Sequence, residues 1–127
     1  MLNGDDRELG TVRIDDEVLG AIAVIAAKKV PGVHRIAMSF FSGIIQIFRK
    51  LPDAGVKAVV NEGEVSIDLG IVVDYGASIP EVSWKVQKTI KEEVERASGL
   101  KVVKVNVVIA GVHIAGQEKS DATRESS

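Results

Sequence analysis

The sequence predicts an α+β domain in which two main helices pack on one face of a small mixed or antiparallel sheet of three to four strands. The chain has 127 residues, the size of one domain, and 46% of them are apolar against 27% charged, as in folded globular proteins. Two stretches carry apolar residues at helical spacing, and another alternates apolar and polar residues as a half-buried strand does. Their order predicts helix, strand, short helix, two strands, helix and strand.

The first helix is predicted to follow Asp15, an N-cap residue with two acidic residues after it, where the helix dipole favours negative charge. Ile14 and Leu19 occupy the positions of a hydrophobic staple, and residues 11–14 are predicted as a short strand or an extended lead-in. Val30-Pro31-Gly32 ends the helix. Helical spacing predicts a buried stripe made of Val18, Ile22, Ile25 and Ala26.

Residues 33–38 are predicted to form a short strand. Residues 56–60 and 65–74 form two further strands joined by Asn61-Glu62-Gly63, a turn in which glycine can take a positive φ. The later strand alternates, so one of its faces is buried and the other is left to water or to a partner. Its core-facing residues are predicted to be Val65, Ile67, Leu69, Ile71 and Val73.

Residues 39–54 are predicted to form a short amphipathic helix or an apolar loop that ends at Pro52. Two interpretations stay open: the segment covers the open side of the core, or it is a docking segment whose basic residues meet anionic groups. Its length allows only weak membrane binding, which favours docking to a protein partner over insertion into lipid. Its candidate contact residues are Phe40, Phe41, Phe48, Arg49 and Lys50.

The second helix is predicted to start near Pro80 and to end at Gly99 in a left-handed cap. The last strand is predicted to run from Lys101 to about Ile114. The apolar stripe of the helix is predicted to be Val82, Val86, Ile90, Val94 and Ala97. The buried residues of the strand are predicted to be Val103, Val105, Val107 and Ile109.

Residues 1–9 are predicted to form a flexible acidic N-terminus, residues 10–114 the domain, and residues 115–127 a disordered polar tail. The start of the chain is acidic and polar, unlike a secretory signal peptide. No stretch approaches the roughly 18 consecutive apolar residues of a membrane-spanning helix. We therefore expect a cytoplasmic protein with no direct membrane span.

The amino-acid composition argues against several classes of function for this protein. The 16 basic and 18 acidic residues give a formal net charge of −2, so the chain lacks the basic character typical of nucleic-acid binding. It has no cysteine, which excludes disulfides, thiol nucleophiles and cysteine-ligated metals. His34 and His113 are expected to be separated by almost the whole core. We expect no metal site, no cofactor and no catalytic residue.

Polar residues of the strands add no catalytic group. Asp68 and Asp74 share a strand face, but at ~3.3 Å per residue they lie about 20 Å apart and cannot act as a pair. Asn106 is the one polar residue among valines, and we expect it to satisfy backbone groups at a bulge or an edge.

Trp84 is the most informative residue for function. At about 100° per residue it lies about 200° around the helix from Val82, on the side that carries Lys88 and Lys91. Either the sheet edge or the Phe-rich segment partly covers its ring, or the ring is an exposed anchor for a protein partner or a membrane interface. Trp84, Lys88 and Lys91 are therefore candidates for a partner-binding or membrane-proximal surface, although the lysines alone fit a solvated helix face.

Six runs of sequence carry a resemblance to a known family in their order and spacing. They are GTVRIDDEV (10–18), IAVIAA (22–27), VPGV (30–33), GVK (55–57), VDYGASIPEV (73–82) and GLKVVKVNV (99–107). Together they resemble the alkaline shock protein family, the small Gls-type envelope-stress and general stress proteins of Gram-positive and related bacteria. The similarity covers roughly residues 10–114.

The resemblance implies a non-enzymatic scaffold or accessory protein tied to cell-envelope and lipid homeostasis. Some members are held at the membrane by a separate anchor protein and assemble with themselves. Others belong with enzymes of fatty-acid synthesis or phosphorylation. The family defines no catalytic residue or cofactor to carry over to this chain.

Two other classes compete with the scaffold. The helix-face lysines and compact architecture also suit a small nucleic-acid-binding α+β module. Such a module would be supported by a Gly-x-x-Gly clamp or by aromatic-studded strands, and the sequence contains neither. An enzyme would need a pocket with paired polar groups, for which the sequence offers no candidates.

Overall fold

In the part of the chain that the structure describes, six elements of secondary structure build an α+β fold with two helices and a four-stranded mixed sheet, as predicted. The computed structural model describes residues 9–37 and 55–116. The predicted segment 39–54 lies entirely outside these ranges, and with it lie Phe40, Phe41, Phe48, Arg49 and Lys50. The elements are α1 (Asp16–Lys28), β1 (Val33–Ile36), β2 (Val56–Asn61), β3 (Glu64–Asp74), α2 (Ile79–Ser98) and β4 (Lys101–His113).

Strand β3 is the centre of the sheet. On one side it pairs in parallel with β4 along its full length. On the other side β2 pairs antiparallel with its first half and β1 with its second half. The crossover from β3 to β4 runs through α2, as a parallel connection requires. At the β2–β3 turn both Glu62 and Gly63 have positive φ, 53° and 80°, the arrangement of a type I′ hairpin.

The core-facing residues predicted for β3 are confirmed, but the opposite face is not left open throughout, because Gly70 and Val72 are buried as well. All five of its predicted core residues are at most 1% exposed. On α2 the predicted stripe is confirmed for the four residues Val82, Val86, Ile90 and Val94, which are buried. Ala97 is exposed, against the prediction, because it lies in the last turn of α2 and its methyl group is too short to reach the core.

The buried stripe predicted for α1 is wrong. Val18 and Ile25 are 49% and 57% exposed, whereas the buried side chains of α1 are Leu19, Ala23, Ala26 and Ala27. Of the predicted stripe, Ala26 is buried and Ile22 is partly buried. Because α1 is apolar on nearly all sides, spacing alone does not identify its core face. The small residues let the helix lie close to the sheet: a Cβ built at Gly20 would be 3.5 Å from Val56 Cγ1.

The helix ends follow the sequence with one difference. Asp15 has the extended conformation of an N-cap, but its side chain makes no capping hydrogen bond. At α2 the Ser78 hydroxyl accepts a hydrogen bond from the Glu81 amide at 3.4 Å. Gly99 closes α2 in the left-handed conformation with φ 78°, as predicted. Residues 11–14 form no strand.

The burial predicted for β4 fails at its start. Val103 is 46% exposed and Val102 only 2%, because the register with β3 shifts between the pairs Val65–Val102 and Ser66–Lys104. This bulge adds one residue and inverts the alternation before it. Beyond it, Val105, Val107 and Ile109 pack partly buried against the core, as predicted.

Gly32 is where the connection from α1 to β1 meets α2. Its φ is +103°, and a Cβ there would lie 2.6 Å from Val82 Cγ2. Both the backbone conformation and the close approach therefore require glycine.

Candidate interaction surface

A groove of about 390 Å³ runs between α2 and the outer edge of β4. Its helix wall includes Trp84, Lys88 and Lys91, the three candidate residues that the structure describes. The full lining is Trp84, Gln87, Lys88, Lys91, Val102, Val103, Lys104 and Val105. The groove thus combines one aromatic ring, three lysines and the edge of a strand.

Trp84 is 56% exposed, so of its two interpretations the described residues favour the exposed ring. The Lys88 ammonium lies 5.9 Å from the Trp84 ring centroid, within the range of a cation–π contact. The same ammonium forms an ion pair with Glu92 at 2.8 Å. Lys88 therefore contacts both the Trp84 ring and the Glu92 carboxylate.

Lys91 and Glu95 attach α2 to the start of β4. The Lys91 ammonium donates to Glu95 at 2.8 Å and to the Val102 carbonyl at 3.0 Å. The Val102 amide donates to Glu95 at 2.9 Å. Both hydrogen bonds hold the pKa of Glu95 below its ordinary value; the one from Lys91 has the larger effect and the one from the Val102 amide the second largest. Both backbone groups of Val102 thus find partners on the helix.

Gln87 satisfies one further group of the same edge. Its side-chain amide donates to the Val105 carbonyl at 3.0 Å. Among the described residues no strand lies on this side of β4. Side chains of α2 therefore occupy the edge at Val102 and Val105. Sequence reasoning placed Trp84 and the lysines on one helix face but missed Gln87, because its role depends on where β4 lies.

The prediction that His34 and His113 are separated by almost the whole core is wrong. Their rings stack with centroids 3.7 Å apart and planes inclined by 6°, and His34 Nδ1 lies 3.4 Å from Asp74 Oδ1. Strands β1 and β4 flank opposite sides of β3, and both reach its end at Asp74. The separation in sequence is large, but the sheet register brings the two residues together.

Asn106 also has a different partner from the one expected. Its amide donates to the Asp68 carboxylate at 2.7 Å, because Asp68 and Asn106 face each other in the β3–β4 register. Asp68 and Asp74 thus have separate partners, Asn106 and His34.

Neither a metal cluster nor a membrane span is present in the described part of the chain. Within residues 9–37 and 55–116, no three His, Asp or Glu side chains are placed to hold a metal ion. Neither α1 nor α2 has the length and apolar character needed to cross a bilayer.

A second exposed apolar surface lies on α1. Val18 and Ile25 are about half exposed, and Ile22 between them is partly buried. Helical spacing had assigned these residues to the core together with Ala26, which is buried; Val18 and Ile25 face outward instead.

Comparison with known proteins gives a family match over most of the chain. A model of the alkaline shock protein 23 family, described as having a cell envelope-related function, matches residues 4–114. The uncharacterized protein YqhY of Bacillus subtilis is 34% identical over 112 residues, which cover 87% of this chain and 83% of YqhY.

A named relative adds a biological context. The stress response regulator gls24 homolog of Streptococcus pyogenes is 29% identical over 119 residues, which cover 92% of this chain. The match spans 65% of that relative's length. Among solved structures, a MamM CTD variant matches with a TM-score of 0.47 and 17% identity, covering 75% of this chain and 93% of the other. The names of the family and these relatives describe envelope function and stress response rather than a reaction.

Proposed function

This chain belongs to the alkaline shock protein 23 family, whose function is cell envelope-related, and we propose that it is a non-enzymatic scaffold of the envelope stress response. In this proposal it acts through protein–protein contacts, including contacts between its own copies. The general role in stress and the envelope follows from the family and its stress-regulator relatives. The scaffold role and the self-association are the proposal.

The observation that carries the proposal is the groove between α2 and β4 with Trp84 at its mouth. Tryptophan is enriched among the residues that dominate binding energy at protein interfaces, and here it is 56% exposed. It stands beside an open strand edge, a second feature that favours contact with another chain. Neither feature is explained by the stability of the domain alone.

The polar contacts of the groove support a binding role rather than catalysis. Lys88 and Lys91 are paired with Glu92 and Glu95, and Gln87 is bonded to the backbone. These groups hold the surface in shape. None of them forms the nucleophile–base pairs on which general acid–base and covalent catalysis depend.

The link to lipid homeostasis and the place of action complete the proposal. We place the protein in the cytoplasm, with recruitment to the inner face of the cell membrane by a partner. The partner would be a membrane-anchor protein or an enzyme of fatty-acid metabolism. The exposed Trp84 surface and the exposed apolar residues Val18 and Ile25 are candidate surfaces for this contact.

Two measurements on the intact chain test this proposal. Sedimentation velocity over a wide concentration range should show a reversible monomer–oligomer equilibrium, which Trp84→Ala shifts toward monomer without lowering the melting temperature. In the native host, deletion should sensitise cells to envelope stress, with rescue by the wild-type gene and weaker rescue by Trp84→Ala.

A strictly monomeric chain would contradict self-association. Salt-sensitive binding to RNA or DNA would instead favour the nucleic-acid-binding alternative.

A further inference from the structure

Within residues 9–37 and 55–116, the outer edge of β4 is only partly protected. β4 is 13 residues long, and among these residues it pairs only with β3. Open edges invite pairing with another chain, and proteins normally guard them with charge, proline or short length. Residues 105–112 contain neither a charged residue nor a proline. The α2 side chains bond to the backbone of Val102 and Val105, so they reach only the first residue of this stretch.

The backbone of residues 104–109 follows a regular register with β3, between two register shifts. Along a strand, successive residues direct their N–H and C=O groups alternately to the two sides. The Val105 carbonyl points away from β3, since it accepts the Gln87 amide. Val107 and Ile109 therefore also direct their backbone groups outward.

Two outward-facing residues separated by one residue can pair with the same two residues of a second copy. In an antiparallel pair, each can exchange both backbone hydrogen bonds with the other residue of a second copy. We propose that two copies of this chain associate by antiparallel pairing of their β4 edges, with the two-fold axis at Val108. Val107 then pairs with the partner's Ile109, and Ile109 with the partner's Val107. This inference rests on the self-association in the proposed function and assigns its surface.

Charge placement favours a second copy over an acidic or nucleic-acid partner. Lys104 is four residues from the axis, so in the dimer the two Lys104 Cα atoms are about 27 Å apart at ~3.4 Å per residue. Lys88 and Lys91 are already paired with carboxylates of α2. The edge therefore brings no net repulsion to a symmetric contact and offers little unpaired positive charge to an anionic ligand.

The pairing also covers the apolar groups exposed on both faces near the edge. Val108, 39% exposed, meets its own copy at the axis, where facing residues that are not hydrogen-bonded lie about 4.5 Å apart between Cα atoms. Trp84 stands above the same edge, one helical turn from Gln87 toward the axis. A contact in which each copy uses the same patch is the form expected of a two-fold dimer.

Disulfide trapping tests this register directly, because the native chain has no cysteine. Val108→Cys places two thiols at a Cα separation that suits a disulfide. The matched control is Val103→Cys on the same strand, where Val103 is 46% exposed against 39% for Val108. In the dimer the two copies of residue 103 would be about 34 Å apart. Under mild oxidation, Val108→Cys should form a covalent dimer at least tenfold faster than Val103→Cys.

A pair of proline variants tests the backbone contact without cross-linking. The Val107 amide points outward, so Val107→Pro should leave the β3–β4 ladder intact and yield a folded chain that sediments as a monomer. Val108→Pro removes an amide that points toward β3, so it should lower the melting temperature. This loss would confirm that the backbone groups of β4 point alternately toward and away from β3. Circular dichroism reports the fold in both variants.

The outcomes separate this inference from the proposed function. If the wild-type chain self-associates but Val108→Cys cross-links no faster than Val103→Cys, the edge assignment is overturned and self-association stands. A folded Val107→Pro variant that associates as strongly as wild type has the same meaning. A wild-type chain that is monomeric at all concentrations overturns both.

Discussion

The imidazole of His34 stacks face to face on that of His113, with 3.7 Å between the ring centroids. The contact joins β1 to β4, which lie on opposite sides of β3, so it connects the two flanks of the sheet where β3 ends. Asp74, the last residue of β3, lies 3.4 Å from the His34 ring nitrogen.

The stack should be measurable as a coupling free energy. Aromatic pairs contribute about 0.5–1.5 kcal/mol beyond the area that they bury. In a double-mutant cycle of His34→Ala and His113→Ala, we expect a coupling of about this size in the free energy of urea unfolding. Combining His34→Ala with Ile25→Ala, at a residue that is not part of the stack, should give additive losses. Additive losses for the two histidine variants as well would show that the stack contributes nothing.

The outward face of α1 predicts two contrasting substitutions. Leu19 is fully buried, and Leu→Ala in a core costs about 2–5 kcal/mol. Ile25 is 57% exposed, so Ile25→Ala should change the free energy of unfolding by no more than about 0.5 kcal/mol. Chemical denaturation of both variants measures the difference. A larger loss for Ile25→Ala would mean that the face assigned to solvent is in fact buried.

Gly32 should tolerate substitution less well than Gly99. Both have positive φ, but a Cβ at Gly32 would lie 2.6 Å from Val82 Cγ2, whereas the space around Gly99 is open. Gly99→Ala carries only the conformational cost, about 1 kcal/mol. Gly32→Ala adds overpacking and should lose a further 1–3 kcal/mol or so. Equal shifts in the denaturation midpoint would rule out a tight contact at Gly32.

Lys91 should control the titration of Glu95. The Lys91 ammonium is the largest cause that lowers the pKa of Glu95 from its ordinary value of 4.5. A carboxylate with a lowered folded-state pKa stabilises the fold above the unfolded value, and this contribution disappears as the pH falls through the folded value. In Lys91→Met, we expect carbon-13 NMR titration to show a higher Glu95 pKa.

The matched control for that titration is Lys88→Met, since Lys88 pairs with Glu92 instead. This variant should leave the Glu95 pKa unchanged. Wild type should also lose more stability than Lys91→Met between neutral pH and acid. An unchanged Glu95 pKa in Lys91→Met would leave the Val102 amide as the dominant cause.

The sequence correctly predicted those elements whose burial or ends follow from a local pattern of residues. In strand β3 the period of two identified the core-facing residues from Val65 to Val73, although Gly70 and Val72 on the other face are buried as well. Gly99 marked the end of α2 because only the left-handed conformation closes the helix there. The family itself was also recognisable, because its short motifs occur in the right order along the chain.

The errors arose where tertiary packing selects among patterns that look alike. Helix α1 is apolar on both faces, and close approach favoured its alanines over Val18 and Ile25 as core residues. At the start of β4, the extra residue of the bulge inverts the alternation, so that Val103 is exposed and Val102 is buried. The contacts His34–His113 and Gln87–Val105 depend on sheet register and helix placement, which no local pattern encodes.

The emission spectrum of Trp84, the single tryptophan of the chain, tests the central claim most directly. The account predicts that Trp84 becomes covered when copies associate through the edge of β4. Its emission should therefore shift to shorter wavelength over the concentrations at which sedimentation reports association, and Val107→Pro should abolish the shift. Association with no change in Trp84 emission, or an equal shift in Val107→Pro, would contradict the account.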